Sequence, residues 1–276
     1  MTLEGHLLSR IRASKLGNKL IDVNPDVSIV DALQLMRDHQ LYALPVAEPE
    51  DSEYKYKAII SLSDLLTPMF SEERAPVVMD NGTPGHRVRF LQQPLRSILK
   101  QPSDPLENTT NAIKDVLHHL YQNRGHIPPQ ILNEFATKAM QSVKTSADHV
   151  HSPALMPAIT PALEVAEALA SQQLSCVGIT QEDGRLVANI SWADFRGLNG
   201  SAFSKLVKPC LEFVKEVQGV DPSERHFSLV SSRATIEAVM KVILENRVHR
   251  CFLVDEAGYS DGVVTMSDLI HTVSGF

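Results

Sequence analysis

The chain has 276 residues, 43% hydrophobic and 21% charged, the composition of a globular protein with a substantial core and enough length for one large domain or two ordinary ones. A formal net charge of −7 excludes a broadly basic nucleic-acid grip, so any anion site must be made locally. No apolar run reaches about 18 residues, so no membrane span is expected. Three cysteines, Cys176, Cys210 and Cys251, are widely spaced and odd in number, which argues against a disulfide framework or a thiolate metal cage. Cys176 and Cys251 lie in apolar runs that read as core. The N-terminal stretch lacks the long apolar segment of a secretory signal. Together these features lead to the expectation of a reducing compartment, the cytoplasm, with the nucleus also open.

In chain order, Ser28 caps a helix with Asp31 three residues on, and Ile29, Leu33 and Met36 form its apolar stripe. Residues 42–46 read as a strand. The acidic stretch 47–57 reads as a solvated hairpin loop that could touch a partner. Residues 57–60 form a strand running into Ser61-Leu-Ser-Asp64 and a helix. Between 70 and 150 the pattern changes. Ala112, Ile113, Val116, Leu117 and Leu120 give a helix, Pro128–Pro129 is hostile to a paired strand, and 132–144 reads as helix. Thr145-Ser-Ala-Asp148 follows with no room for another helix. Thr160 then caps a helix with Pro161 at its first position and Ala162, Val165, Ala166 and Leu169 as its stripe. Strands over 175–180 and 185–190 join through a Glu-Asp-Gly turn and end in Ser191-Trp-Ala-Asp194. Thr235 caps the next helix, whose stripe is Ile236, Val239, Met240, Ile243 and Leu244. A strand headed by His249–Arg250 follows, and a second strand runs into Thr265-Met-Ser-Asp268.

One unit therefore recurs three times: helix, strand, turn, strand, then Ser/Thr-x-x-Asp opening a helix. Alone the four-residue pattern is weak, since Ser28–Asp31 and Thr180–Asp183 also satisfy it. Its weight comes from recurring at the same place in matching units. The interval from Asp64 to Asp194 is a little short of twice that from Asp194 to Asp268. That points to a shortened or degraded second unit between the first and third. The stretch 88–150 has two readings, a divergent second repeat or an unrelated helical linker.

With its basic pair and its Ser/Thr-x-x-Asp corner, the run from Val248 to Ile270 resembles the last of the CBS repeats, which pair into Bateman modules. The resemblance is to the gamma regulatory subunit of AMP-activated protein kinase and related multi-CBS proteins; it is strongest over 150–276, good over 20–68 and poor over 70–150. It implies an α/β fold of tandem CBS repeats, each a small sheet with two helices, with the second repeat divergent. The expected modules are 1–150 (first repeat about 16–70, divergent second repeat or linker about 88–150) and 151–276 (third repeat about 151–200, fourth about 205–276).

The chemistry of the corners fits a nucleotide. A carboxylate near a helix start accepts two hydrogen bonds and suits a ribose diol. The hydroxyl and the free N–H groups of the helix start suit phosphate oxygens, and a neighbouring His–Arg pair adds cationic donors. By resemblance, Asp64, Asp194 and Asp268 are ribose acceptors, Ser61, Ser191 and Thr265 their hydroxyl partners, and His249 and Arg250 the phosphate contacts. The bland alternative is that the acids are favourable charges at helix N-termini and the pair a solvated strand edge. The first repeat has Tyr42-Ala43 and the third Ser175-Cys176 where a basic pair could stand, with Arg124 and His126 an uncertain counterpart in the second. Fewer phosphate donors predict fewer or weaker sites.

The resemblance thus implies a non-catalytic regulator that binds AMP, ADP or ATP between paired repeats and modulates a protein partner such as a kinase or phosphatase subunit, with a homodimer through the CBS modules also open. The alternative is a scaffold whose nucleotide sites have decayed. His118–His119 and His149/His151 complete no metal site and read as surface. No Gly-rich phosphate loop, nucleophile elbow or aromatic stacking platform is present, so neither an enzyme nor a nucleic-acid binder is expected.

Overall fold

A computed structural model describes residues 21–50, 53–71, 86–99, 110–137, 154–219 and 229–274. The first unit comprises α1 (Ile29–Asp38), β1 (Ala43–Glu50), β2 (Glu53–Ser61) and α2 (Leu62–Ser71). The third comprises β3 (Leu155–Pro157), α6 (Ala162–Ser171), β4 (Cys176–Thr180) and β5 (Leu186–Ser191), followed by a 3-10 turn over Trp192–Phe195. The fourth comprises β6 (Leu229–Ser231), α9 (Ile236–Glu245), β7 (Arg250–Val254), β8 (Ser260–Thr265) and α10 (Met266–Ser274). Four shorter or connecting helices complete the described chain: α3 (His86–Leu91), α4 (Thr110–Gln122), α5 (Pro129–Leu132) and α7 (Gly200–Phe203); α8 (Cys210–Gln218) leads toward the fourth unit.

Three features that no sequence pattern exposes show that these units are copies. Each sheet places a short parallel element beside an antiparallel hairpin: β3 beside β4, β6 beside β7, and, for the first unit, the single residue Val23 bridged to Val46. Each hairpin slips register at the same step, after Val46, Ile179 and Leu253, a bulge at one position of the repeat. Each first helix also ends in the same way. The N–H groups of Leu41, Leu174 and Val248 reach back to the carbonyls of Met36, Leu169 and Ile243. The residues before them, Gln40, Gln173 and Arg247, adopt φ of 55°, 50° and 55°. This is a Schellman end with a non-glycine residue in the left-handed position, which costs roughly 1–2 kcal/mol each.

The middle segment departs from that plan. α4 ends in a 3-10 turn over Arg124–His126 instead of the shared motif, and Pro128–Pro129 opens the short α5 where the other units have a strand. No strand lies among the described residues between 110 and 137. Of the predicted Thr145–Asp148 corner, the 132–144 helix and His149/His151, only residues up to Thr137 are described. Leu117 of α4 is buried, and α4 packs on α9 and α10 of the fourth unit.

The buried residues divide accordingly. One cluster joins the first and third units, with α2 lying against α6 and α8 against α6. The other joins the fourth unit with α4 and α5. The sheets of the third and fourth units approach closely at Gly178. A Cβ there would sit 2.7 Å from Leu155, 2.8 Å from Leu186 and 3.0 Å from Phe252. Their hairpin turns also meet, Leu186 N–H donating to the Gly258 carbonyl at 3.1 Å.

Several local expectations change. The described residues of the acidic stretch, 47–50 and 53–57, continue the hairpin, paired out to Glu50↔Glu53, because backbone pairing carries on where charge predicts a loop. Pro161 is the N-cap of α6, and Thr160 makes no side-chain cap. The third corner opens only a 3-10 turn, where an α-helix was expected. Cys251 is buried, as expected of core, but Cys176 at the mouth of β4 is half-exposed.

Candidate functional site

Each Ser/Thr-x-x-Asp corner forms at the end of the second strand, where the hydroxyl residue is the N-cap and the aspartate the third helical residue. The backbone N–H of Ser61, Ser191 and Thr265 donates to Oδ2 of Asp64, Asp194 and Asp268, each at 2.8 Å. The hydroxyls donate to the same oxygens at 2.6, 3.3 and 2.7 Å. The aspartate N–H returns a bond to the hydroxyl in all three corners, at 3.3 Å in the first and fourth. This is a reciprocal capping box with Asp in place of Glu. It accounts for one oxygen of each carboxylate without any ligand.

Burial separates the three. Asp194 and Asp268 are only 4% and 3% exposed, whereas Asp64 is exposed. Asp64 lines a cavity of about 620 Å³ bounded by β2 and α2 of the first unit, Ile98 and Leu99, and Leu169, Gln173, Ser175 and Trp192 of the third. Pro68 inside α2 also faces this cavity. Proline has no N–H to give the carbonyl four residues back, so it makes no helical bond to the Asp64 carbonyl on the same wall. Trp192, the aromatic residue of the lining, stacks on Phe70 at 6.0 Å, and both contact Phe195.

Strand register brings the basic pair to the corner. Arg250 lies opposite Thr265 in the hairpin, as Cys176 lies opposite Ser191 and Ala43 opposite Ser61. The pre-strand positions of the three units then meet one another. Arg250 Nη1 donates to Ser175 Oγ, and Ser175 is itself a wall of the Asp64 cavity. The His249 ring stands edge-on to Tyr42, centroids 5.1 Å apart. On Tyr42's face lies the guanidinium of Arg196, 4.5 Å from the ring centroid, which also donates to Gln40 Oε1 at 2.9 Å. Arg196 is 5% exposed, and its Nε has no hydrogen-bond partner among the described residues. Gln218 ties this corner to α8 by donating to the carbonyls of Asp194 and Arg196 at 3.0 and 2.9 Å.

The eight residues singled out in the sequence thus fall into two groups. Asp64 lines a cavity, with Ser61 as its N-cap and Arg250 adjoining it through Ser175, while His249 contacts Tyr42; Asp194, Ser191, Asp268 and Thr265 hold buried or half-buried helix starts. Sequence reasoning missed Arg196, Tyr42, Trp192 and Ser175 as neighbours of the site. The pre-strand position was legible for Tyr42 and Ser175; nothing in the sequence marks Arg196. Arg124 pairs with Glu237 at 2.7 Å and lies over Tyr121, which ties it to the packing of α4 on α9. Among the described residues no group of three or more His, Cys, Asp or Glu side chains could hold a metal, and no helix is long and apolar enough to cross a membrane.

Comparison with known proteins agrees with this architecture. A family model described as the CBS domain matches residues 17–71 and 217–275. A solved protein of Methanocaldococcus jannaschii, proposed as an archaeal homologue of gamma-AMPK, has 18% identity and a TM-score of 0.66, covering 95% of this chain and 98% of that one. A CBS domain protein of Pyrobaculum aerophilum, solved with AMP, has 20% identity and a TM-score of 0.34, covering 42% of this chain and 82% of its own. Comparison with curated proteins returns no match. The chain thus carries CBS domains in two places, within an α/β fold of paired CBS repeats. The family matches take in its first and fourth units, and the third repeats their strand order, bulge and helix end.

Proposed function

We propose that this protein is a non-catalytic regulator that binds an adenine nucleotide in the cavity at Asp64 and transmits occupancy to a protein partner such as a kinase or phosphatase subunit. The observation that carries this reading is the exposed carboxylate of Asp64 at one wall of a cavity whose other wall, Ser175, is held by Arg250. In this arrangement Asp64 takes the ribose diol, the aliphatic walls and Trp192 take the base, and the Ser175–Arg250 side receives the first phosphate. The cavity is bounded by residues of the first and third units, so a ligand there contacts both. Regulation follows if occupancy favours one arrangement of those units over another, since a ligand shifts an equilibrium only by its differential affinity for the two states.

The burial of Asp194 and Asp268 favours a second reading for the 151–276 half: its corners serve as scaffold, not as sites. Thermal unfolding with AMP, ADP, ATP and S-adenosylmethionine separates the two readings. A ligand that binds only the folded state stabilises it by about 2.7 kcal/mol at 100 times its Kd. A shift lost in Asp64→Ala but kept in Asp268→Ala supports the sensor at the first corner. No shift with any of the four at millimolar concentration leaves the scaffold reading.

A further inference from the structure

Where the first helix of each unit begins, its cap is bridged to a second segment by two hydrogen bonds. In the third unit the Cys210 N–H donates to the Thr160 carbonyl at 2.9 Å and the Ala162 N–H to the Lys208 carbonyl at 3.0 Å, about the pair Pro161↔Pro209. The first unit repeats this with Leu95 to Val27 and Ile29 to Gln93, about Ser28↔Pro94. The fourth repeats it with Ala136 to Ala234 and Ile236 to Glu134, about Phe135↔Thr235. Side chains alternate across such a pair. On the inner side of the third unit's bridge, Thr160, Ala162, Leu206 and Cys210 are buried. The outer side carries Ile159, Pro161, Leu163, Val207, Pro209 and Leu211, all apolar, with Ile159 71% and Val207 60% exposed. Where the third unit has Ile159 and Leu211, the first has the ion pair Asp26–Arg96, and the fourth has Arg233, Glu237 and Asn133 at three of the six positions. The bridge itself therefore does not require an apolar outer face.

We infer that this face of the third unit is a contact with a second copy of the chain, related by a two-fold axis that runs along the bridge. Such an axis lays one edge of the face over the opposite edge in the other copy. Ile159 of one copy then meets Leu211 of the other, Pro161 meets Pro209, and Leu163 meets Val207, so the face matches itself in size and polarity at all three positions. The two prolines bring no N–H that the contact would strand. Copies of a chain with net charge −7 repel each other, so they meet best where local charge is balanced. Beside Val207, Lys208 donates to Glu212 at 2.9 Å and also to Glu216, and Lys205 lies 3.4 Å from Glu216. Six side chains cover less than the roughly 800 Å² per partner of a standard interface, so the dimer is weak and reversible. The contact is independent of nucleotide binding.

Sedimentation velocity of the full chain tests it, from about 1 μM to 1 mM, the range in which small interfaces dissociate. The expected mass rises with concentration from 30.5 kDa toward twice that value. Ile159→Asp alone, or Leu211→Arg alone, should weaken association by about tenfold or more, because each buries an unpaired charge at the contact. Mixing the two variants should restore it, since Asp and Arg then face each other across the axis. Circular dichroism melts check that both variants fold. Should either not fold, Val207→Glu, at an exposed position outside any helix, carries the same expectation of weakened association. A mass constant at 30.5 kDa over the whole range overturns the inference. So does a dimer that these folded variants leave untouched, or a mixture that associates no better than its parts.

Discussion

Asp64 and Asp268 are held by the same three hydrogen bonds, from the N-cap backbone, from the N-cap hydroxyl and back to that hydroxyl, with lengths that agree within 0.1 Å. One faces a cavity and the other is buried at 3% exposure. A capping box is a local structure, satisfied by four consecutive residues whatever surrounds them. Whether the spare side of its carboxylate meets a ligand depends on what the rest of the chain packs against it. Identical corners can therefore do different work, and a recurring motif is evidence of duplication before it is evidence of a site.

The largest effect expected from breaking this contrast is at the buried corner. Asp268→Ala strands the Thr265 N–H and hydroxyl in a half-buried position, at a cost of about 2–3 kcal/mol, read as a lower midpoint in urea, while any nucleotide-induced shift persists. An unchanged midpoint would mean that water satisfies the corner and that burial is not what distinguishes it. Gly178→Val tests the packing of the third sheet on the fourth. The added side chain meets Leu155, Leu186 and Phe252 within 3.0 Å, so a loss of about 2 kcal/mol is expected. A neutral result would show that these sheets separate readily.

At the exposed corner the balance reverses. Asp64→Ala should lower stability by only about 0.5–1 kcal/mol yet abolish the ligand response of Trp192 fluorescence. If Asp64→Ala and Asp268→Ala give the same stability loss and the same binding, the two corners are equivalent and the comparison fails. The smallest effect is at the helix ends. Gln173→Gly and Arg247→Gly relieve a left-handed residue but give up backbone entropy, so a gain below about 1 kcal/mol is expected in thermal melts. α8, which already ends in Gly219 at φ 70°, has no such gain to make.

Much of the fold was legible from residue spacing. Ile29, Leu33 and Met36, Ala162, Val165 and Leu169, and Ile236, Val239 and Ile243 marked three helices whose stripes are buried as their periodicity requires. The paired prolines at 128–129 foretold a unit without a strand there. The common bulge and the Schellman ends were not legible, because glutamine or arginine stands where glycine usually signals the left-handed turn. Residues 47–50 and 53–57 were misread because their charge says loop while backbone pairing, which charge does not report, continues out to Glu50↔Glu53.

The site divided along the same line. The sequence alone determined the repeat, the three hydroxyl–carboxylate corners and the position of the basic pair beside the last of them, since local patterning and strand register are written in neighbouring residues. Only the tertiary structure decided which corner opens on a cavity, that Arg250 reaches across to Ser175, and that Tyr42 lies between His249 and Arg196. Those outcomes depend on how separate units pack, where residues more than a hundred positions apart settle each other's burial and partners.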